Sequence, residues 1–235
     1  MLNWLKDFYT RSPIIIKKIY GLVPNKIKYG RTYRYWTRVI ENKDDLERNP
    51  FQTLKYAINN FSFYRQLYNE VDLSDWNKIP LLDKKTIQNH LTEFENNSLN
   101  KIYVNTGGVI GTPSKFYQSN NVWFKEMAFL YSFFSKSGYK PPNLKASFRG
   151  ADFSNLNENE YWIYNPHHYE INFSPFHLSE LTIKTYIKKL NELKPEFFHG
   201  YPSAFISLAK HIQESGLNLN FKPKCIFLIS EGYDL

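Results

Sequence analysis

The stretch "EFFHGYPSAFISLAKHIQESGLNLNFKPKCIFLIS", Glu196 to Ser230, decides the fold. "EFFHG" reads as a short strand, and Pro202 opens a helix because its missing N–H removes nothing that the first turn needs. Phe205, Leu208, Ala209 and Ile212 recur at helical spacing on one face, and Gly216 supplies the left-handed residue that ends such a helix. "KCIFLIS" follows as a continuous apolar run, the pattern expected of a parallel strand buried on both faces. Strand, helix and strand in this order predict a right-handed crossover within a parallel sheet.

Upstream the alternation continues. Ser179 is placed to cap a helix with Ile183, Tyr186, Ile187, Leu190 and Leu193 on one face, which Pro195 stops. "KASFRG" (Lys145 to Gly150) reads as a strand, whereas Asp152 to Pro175, crowded with Asn and Pro, reads as irregular. Earlier still, a helix runs through Trp123, Met127, Leu130, Tyr131 and Phe134 to end near Gly138. "KIYV" and "KFYQS" are two strands flanking the glycine-rich "NTGGVIGTPSKF" (Asn105 to Phe116). From Pro50 to about Glu95 the pattern is helical, with Leu54, Ala57, Ile58 and Phe61 on one face and Asp83 as a cap for a helix carrying Ile87 and Leu91. The expected fold class is therefore α/β, with a helical N-terminal region followed by a largely parallel sheet and flanking helices. The expected division is residues 1–49 as a basic aromatic arm and 50–235 as the α/β domain.

At 235 residues and 42% hydrophobic content, the chain can bury a real core. Aromatics make up 18% of it, which excludes a disordered polymer because such side chains demand burial or a partner. The single cysteine, Cys225, lies in an apolar run, so no internal disulfide forms and a reducing, cytoplasmic setting is expected. The apolar run "PIII" (Pro13 to Ile16) is too short for a signal core or a membrane span.

Charge is segregated. Residues 1–40 hold nine Lys or Arg against one acid, Asp7, whereas residues 41–235 hold 21 basic and 21 acidic side chains. The whole net charge of +8 thus sits on the arm, interleaved with aromatic and apolar residues. That mixture suits anionic lipid at the inner face of a membrane, nucleic acid or an acidic protein surface, or else a helical extension packed on its own domain with its lysines solvated. No nucleic-acid motif accompanies it, and no nucleic-acid partner is expected.

The glycine loop matches neither the Walker A spacing nor the dinucleotide fingerprint. Its glycines, the Thr106 and Thr112 hydroxyls and Lys115 would suffice for a phosphate cradle, and would equally serve a plain hairpin turn. "NPHHYEIN" offers His167, His168 and Glu170, but adjacent side chains on an extended segment point to opposite faces. The expectation is ordinary surface histidines and no metal site. "GYPSA" lacks the G-x-S-x-G of a nucleophile elbow, and no catalytic residue can be assigned. "SEG" (Ser230 to Gly232) falls where the last strand should leave the sheet, the place where open α/β sheets gather ligands.

Taken in order, "NPFQTLKYAINNFSFYRQLY", "IPLLDKKTIQNHL", "TGGVIGTPSKF", "SFRG", "FFHGYPSAFISLAKHI" and "KPKCIFLISEG" resemble the N-terminal part of the phenylacetate-CoA ligase and capsular polysaccharide biosynthesis CapK group of adenylate-forming enzymes. The likeness runs from about Pro50 to the end. It implies that Thr106, Gly107, Gly108, Gly111, Thr112 and Lys115 surround ATP phosphates, that Ser230 and Glu231 lie beside the adenine, and that Tyr201, Pro202 and Ser203 border an acyl pocket. It also implies ATP and Mg²⁺, a small carboxylate activated as acyl-AMP, and an acceptor thiol or amine.

Two departures bear on that reading. Val109 and Ile110 stand where the family usually carries Ser or Thr, removing hydroxyl donors from the loop. The sequence also reaches Leu235 before the family's aromatic-Gly-x-Thr-Glu motif for Mg²⁺, its ribose-binding Asp and its C-terminal domain with a catalytic Lys. Those groups position the reactants and neutralise developing charge, so this portion alone is expected to be inactive. The alternative is a non-catalytic binding module that keeps the fold and docks on a membrane or partner.

Overall fold

The computed structural model describes residues 13–42, 50–68, 75–96, 100–105, 113–150 and 160–232. The chain divides into two compact units: one takes the described residues up to Lys28 together with those from Leu130 onward, the other Tyr29–Phe129.

The N-terminal helices α1 (Ile14–Leu22) and α2 (Asn25–Lys28) belong to the first unit. The second unit contains helices α3 (Gly30–Asn42), α4 (Pro50–Asn60), α5 (Ser62–Leu67) and α6 (Lys84–Asn89), and a hairpin of β1 (Lys101–Asn105) with β2 (Lys115–Ser119). Asp83 caps α6 as expected, accepting the Thr86 N–H at 2.7 Å. The two strands pair antiparallel, Lys101 opposite Ser119 and Asn105 opposite Lys115. Aromatic contacts hold this unit: Phe63 stacks on Phe94 at 4.3 Å, and Tyr29 meets Tyr33 and Trp123 at 5.2 and 5.3 Å. Helix α7 (Val122–Ser135) follows the hairpin.

The first unit is built on five strands, β3 (Lys145–Phe148), β4 (Trp162–Asn165), β5 (Glu170–Phe173), β6 (Phe197–Gly200) and β7 (Cys225–Leu228). Their order is β4-β5-β3-β6-β7, parallel throughout except for β4 against β5. Helices α8 (Ile183–Leu193) and α9 (Pro202–Ser215) make the crossovers. One face of the sheet (Ala146, Phe148, Ile171, Phe173, Phe198) packs with Ile183, Tyr186, Ile187 and Leu190 of α8 and Ala204 and Leu208 of α9. Phe148 and Phe173 stack almost coplanar at 5.0 Å. The opposite face carries Phe197, His199 and Phe227, covered by Phe134 and Tyr139.

Three expectations need correction. The segment read as irregular supplies β4 and β5; these are four residues each and are split by a 3-10 turn at Pro166–His168, with Tyr169 left-handed at φ 49°. Ser179 does not cap α8: Thr182 is the N-cap residue, and Ser179 instead closes the turn before it by accepting Ile183 N–H at 2.9 Å. β7 is not buried on both faces. Among the described residues it is the edge strand, so Phe227 is buried while Ile226 and Leu228 are about half exposed.

Part of the basic arm is ordinary packing within its own unit. Tyr20 stacks on His167 at 5.2 Å, and Gly21 lies so close to the Pro166 carbonyl that an added Cβ would stand 2.6 Å from the oxygen. The Tyr169 hydroxyl donates to the Gly21 carbonyl. Lys28 is not a solvated lysine: its ammonium donates to Gly21 O (3.2 Å) and His167 O (2.9 Å), and burial, helped by Lys145, pulls its pKa down to about 8.

Candidate functional site at the strand ends

Two sequence-distant groups meet where β6 and β7 leave the sheet. Gly200 ends β6 against the backbone of Phe148, whose carbonyl carbon would lie 2.8 Å from any Cβ, so only glycine fits. Tyr201 is extended, donates its N–H to Phe148 O at 3.2 Å, and turns the chain into α9 with Pro202 in the first turn. No side chain of Tyr201 caps the helix. Glu231 does so from across the sheet end: its carboxylate accepts Ser203 N–H at 2.9 Å and the Ser203 hydroxyl at 2.7 Å. A carboxylate there satisfies free N–H groups and complements the positive helix end.

Ser230 holds a left-handed backbone, φ 63°, which turns the chain after β7 and carries Glu231 over to α9. The structure therefore brings Tyr201, Pro202 and Ser203 together with Ser230 and Glu231. The helix end is already filled by Glu231, so it is not an open anion site.

Lys115 belongs to the other unit. Its backbone is clamped by the Gln88 amide, which donates to Lys115 O at 2.8 Å and accepts Lys115 N–H at 3.1 Å. Lys84, Ile87, Gln88, Ser114, Lys115 and Phe116 line a shallow groove there. Thr106, Gly107, Gly108, Gly111 and Thr112 lie outside the described residues.

The sequence reading missed a buried charged cluster on the α7-facing side of the sheet. Lys145 and Glu170, both buried, pair at 3.1 Å, and the Arg149 guanidinium approaches the other Glu170 oxygen at 3.5 Å. Lys145 also donates to His168 O at 2.6 Å, and Asn165 donates to Glu170 at 3.2 Å. Burial alone would raise the Glu170 carboxyl, but Lys145 and Arg149 outweigh it and hold it below the usual carboxylate range. Burial lowers the Lys145 ammonium, with Glu170 opposing. The available signal was a charge at each end of the "KASFR" strand and an acid opening "EINF".

His167 and His168 are not surface histidines. Burial first pushes both down to about 3, joined by His168 and then Lys28 for His167 and by Lys145 and Lys28 for His168, and their rings lie 4.5 Å apart, edge to face. Glu170 is held by cations. No group of three His, Cys, Asp or Glu that could hold a metal occurs among the described residues.

No protein-family model matches the chain. Protein CapK of Staphylococcus aureus is 26% identical to it over 245 residues, 97% of this chain and 54% of CapK. Crystal structures of 2-hydroxyisobutyryl-CoA ligase share the fold. An open form in complex with 2-HIB-AMP and CoA superposes with a TM-score of 0.52 at 19% identity, over 77% of this chain and 42% of the ligase. The thioesterification-state complex gives 0.51 over 76% and 41%. The chain is thus similar in sequence to CapK and shares its fold with an adenylate-forming CoA ligase. This CapK-like chain spans about half the length of the relatives it matches. No helix among its described residues is long and apolar enough to cross a membrane.

Proposed function

We propose that the chain is an adenylate-forming ligase-like protein of a capsular or cell-envelope polysaccharide pathway, in which ATP activates a small carboxylate as acyl-AMP before transfer to an acceptor. One observation carries this reading: the Ser203–Glu231 junction lies at the carboxyl ends of adjacent parallel strands, where α/β sheets take ligands. Exposed Glu231 and Gly232, beside left-handed Ser230, offer peptide edges and a hydroxyl to a flat base such as adenine. ATP supplies the adenylyl group when bound. Glu231 orients the site, Ser203 holds Glu231, and Tyr201 walls the acid pocket; the family resemblance gives the phosphates to Thr106, Gly107, Gly108, Gly111, Thr112 and Lys115.

The test is calorimetric titration of the full chain with ATP. Saturable binding, weakened at least fivefold in Glu231→Ala and in Lys115→Ala, is expected. Binding that ignores both substitutions, or none at millimolar ATP, refutes the reading.

A second observation supports peripheral contact with anionic lipid, the role a non-catalytic docking module would also have. Ile15, Ile19, Leu22 and Ile27 are each more than 60% exposed on α1 and α2, beside Lys17, Lys18 and Lys26. Such residues insert at a headgroup boundary, with each basic residue adding on the order of 1 kcal/mol. Cosedimentation with anionic vesicles should fall when Ile15 and Ile19 are changed to Asp, and should fall with salt. Equal binding by both proteins would remove this role.

A further inference from the structure

The charged cluster on the sheet contains more cation than it needs. Lys145 and Arg149 share one carboxylate, Glu170, which among the described residues leaves one positive charge uncompensated at the carboxyl end of β3. Arg149 is also the open member of the cluster, its side chain 36% exposed, whereas Lys145 and Glu170 are nearly sealed. Its Nε donates to Ser147 Oγ at 3.1 Å, and one terminal nitrogen reaches Glu170 at 3.5 Å. The second terminal nitrogen has no partner among the described residues.

Next to this lies an unmatched imidazole. His199 of β6 is directly opposite Ser147 of β3 in the parallel ladder, on the same face of the sheet. It is 1% exposed, and neither ring nitrogen has a hydrogen-bond partner among the described residues. Phe134 meets the ring edge-on at 5.0 Å, and Arg149 and Lys145 both act on it electrostatically. A buried donor without an acceptor costs about 1–3 kcal/mol, which marks such a group as one that a ligand can satisfy.

We infer that Arg149 and His199, on either side of Ser147 at the carboxyl ends of β3 and β6, form a receptor for an oxyanion-bearing ligand, a carboxylate or a phosphoryl group. The open terminal nitrogen of the guanidinium offers charged N–H donors to such groups, and a neutral imidazole offers one N–H behind it. An oxyanion would balance the surplus charge of the cluster and give His199 its acceptor. The inference does not rest on the ligase reading, since ATP binding at Glu231 can fail while this site binds.

The experiment records the histidine ring ¹H–¹⁵N signals of the labelled full chain, with the His199 signal identified by its loss in His199→Gln. Acetate, inorganic phosphate and pyrophosphate are titrated separately at constant ionic strength, with chloride as the reference ion. The His199 signal should shift saturably with acetate or with a phosphate probe, and the responding arm identifies which oxyanion the site takes. Affinity should fall at least tenfold in Arg149→Gln and at least threefold in Arg149→Lys, which keeps the charge but loses the fork. If Arg149→Gln does not fold, Arg149→Lys decides alone. A His199 signal unmoved by all three probes, or an affinity that Arg149→Lys leaves unchanged, overturns the inference.

Discussion

Acid should unfold this protein well before its carboxylates protonate, because three histidines are held neutral. His167, His168 and His199 are each pushed from an ordinary value of 6.5 down to about 3, first by burial and then by nearby cations and, for His167, the neighbouring His168. A group whose folded pKa is depressed contributes stability that is complete above the unfolded pKa and is lost as pH falls toward the folded one. The unfolded chain takes up protons between 6.5 and 3 that the folded chain refuses. Each such proton is worth about 1.36 kcal/mol per pH unit, so lowering pH from 6.5 to 5.0 removes roughly 2 kcal/mol per histidine and roughly 6 kcal/mol for three. That matches the whole stability of many domains, about 5–15 kcal/mol. Urea unfolding followed by tryptophan fluorescence at pH 7.5, 6.5, 5.5 and 5.0 should therefore show a steep loss corresponding to the uptake of close to three protons. His199→Leu should lower that slope by about one proton and leave the protein no less stable at pH 7, since a buried unmatched donor is removed. A slope below one proton, or an unchanged slope in His199→Leu, would refute the assignment of these rings as buried and neutral.

Glu170→Gln should destabilise by about 3–5 kcal/mol, because the buried Lys145 ammonium loses its counter-ion. Since burial already lowers the folded Lys145 pKa, stability in this variant should recover as pH rises toward the unfolded value of 10.5, measurable as a rising urea midpoint between pH 8 and 10. Gly200→Ala forces a methyl into the Phe148 carbonyl and should cost about 1–3 kcal/mol by thermal melting. Phe198→Ala opens the core between β6 and α9, where Phe198 stacks on Phe205 at 5.8 Å, and should cost about 3–5 kcal/mol in the same assay.

The sequence by itself determined the elements whose signals are local. Period and punctuation set α9 between Pro202 and Gly216, the Asp83 cap on α6, and the β6-α9-β7 crossover that makes the sheet parallel. It also placed Ser230 and Glu231 at a strand exit, because the place where a chain leaves a parallel strand can be read from where its apolar run stops. Tertiary structure decided the rest. β4 and β5 are too short, and too mixed in composition, to announce themselves; they form because the sheet offers β5 an edge beside β3 and β4 an edge beside β5. The cap of α9 comes from Glu231, 28 residues beyond Ser203, a distance that no local pattern spans. The same holds for the charged cluster: Lys145, Arg149, Glu170 and His199 look like scattered polar residues until strand register lines them up on one face. Burial then turns that alignment into paired charges and neutral imidazoles, because a low-dielectric interior penalises every charge that lacks a partner.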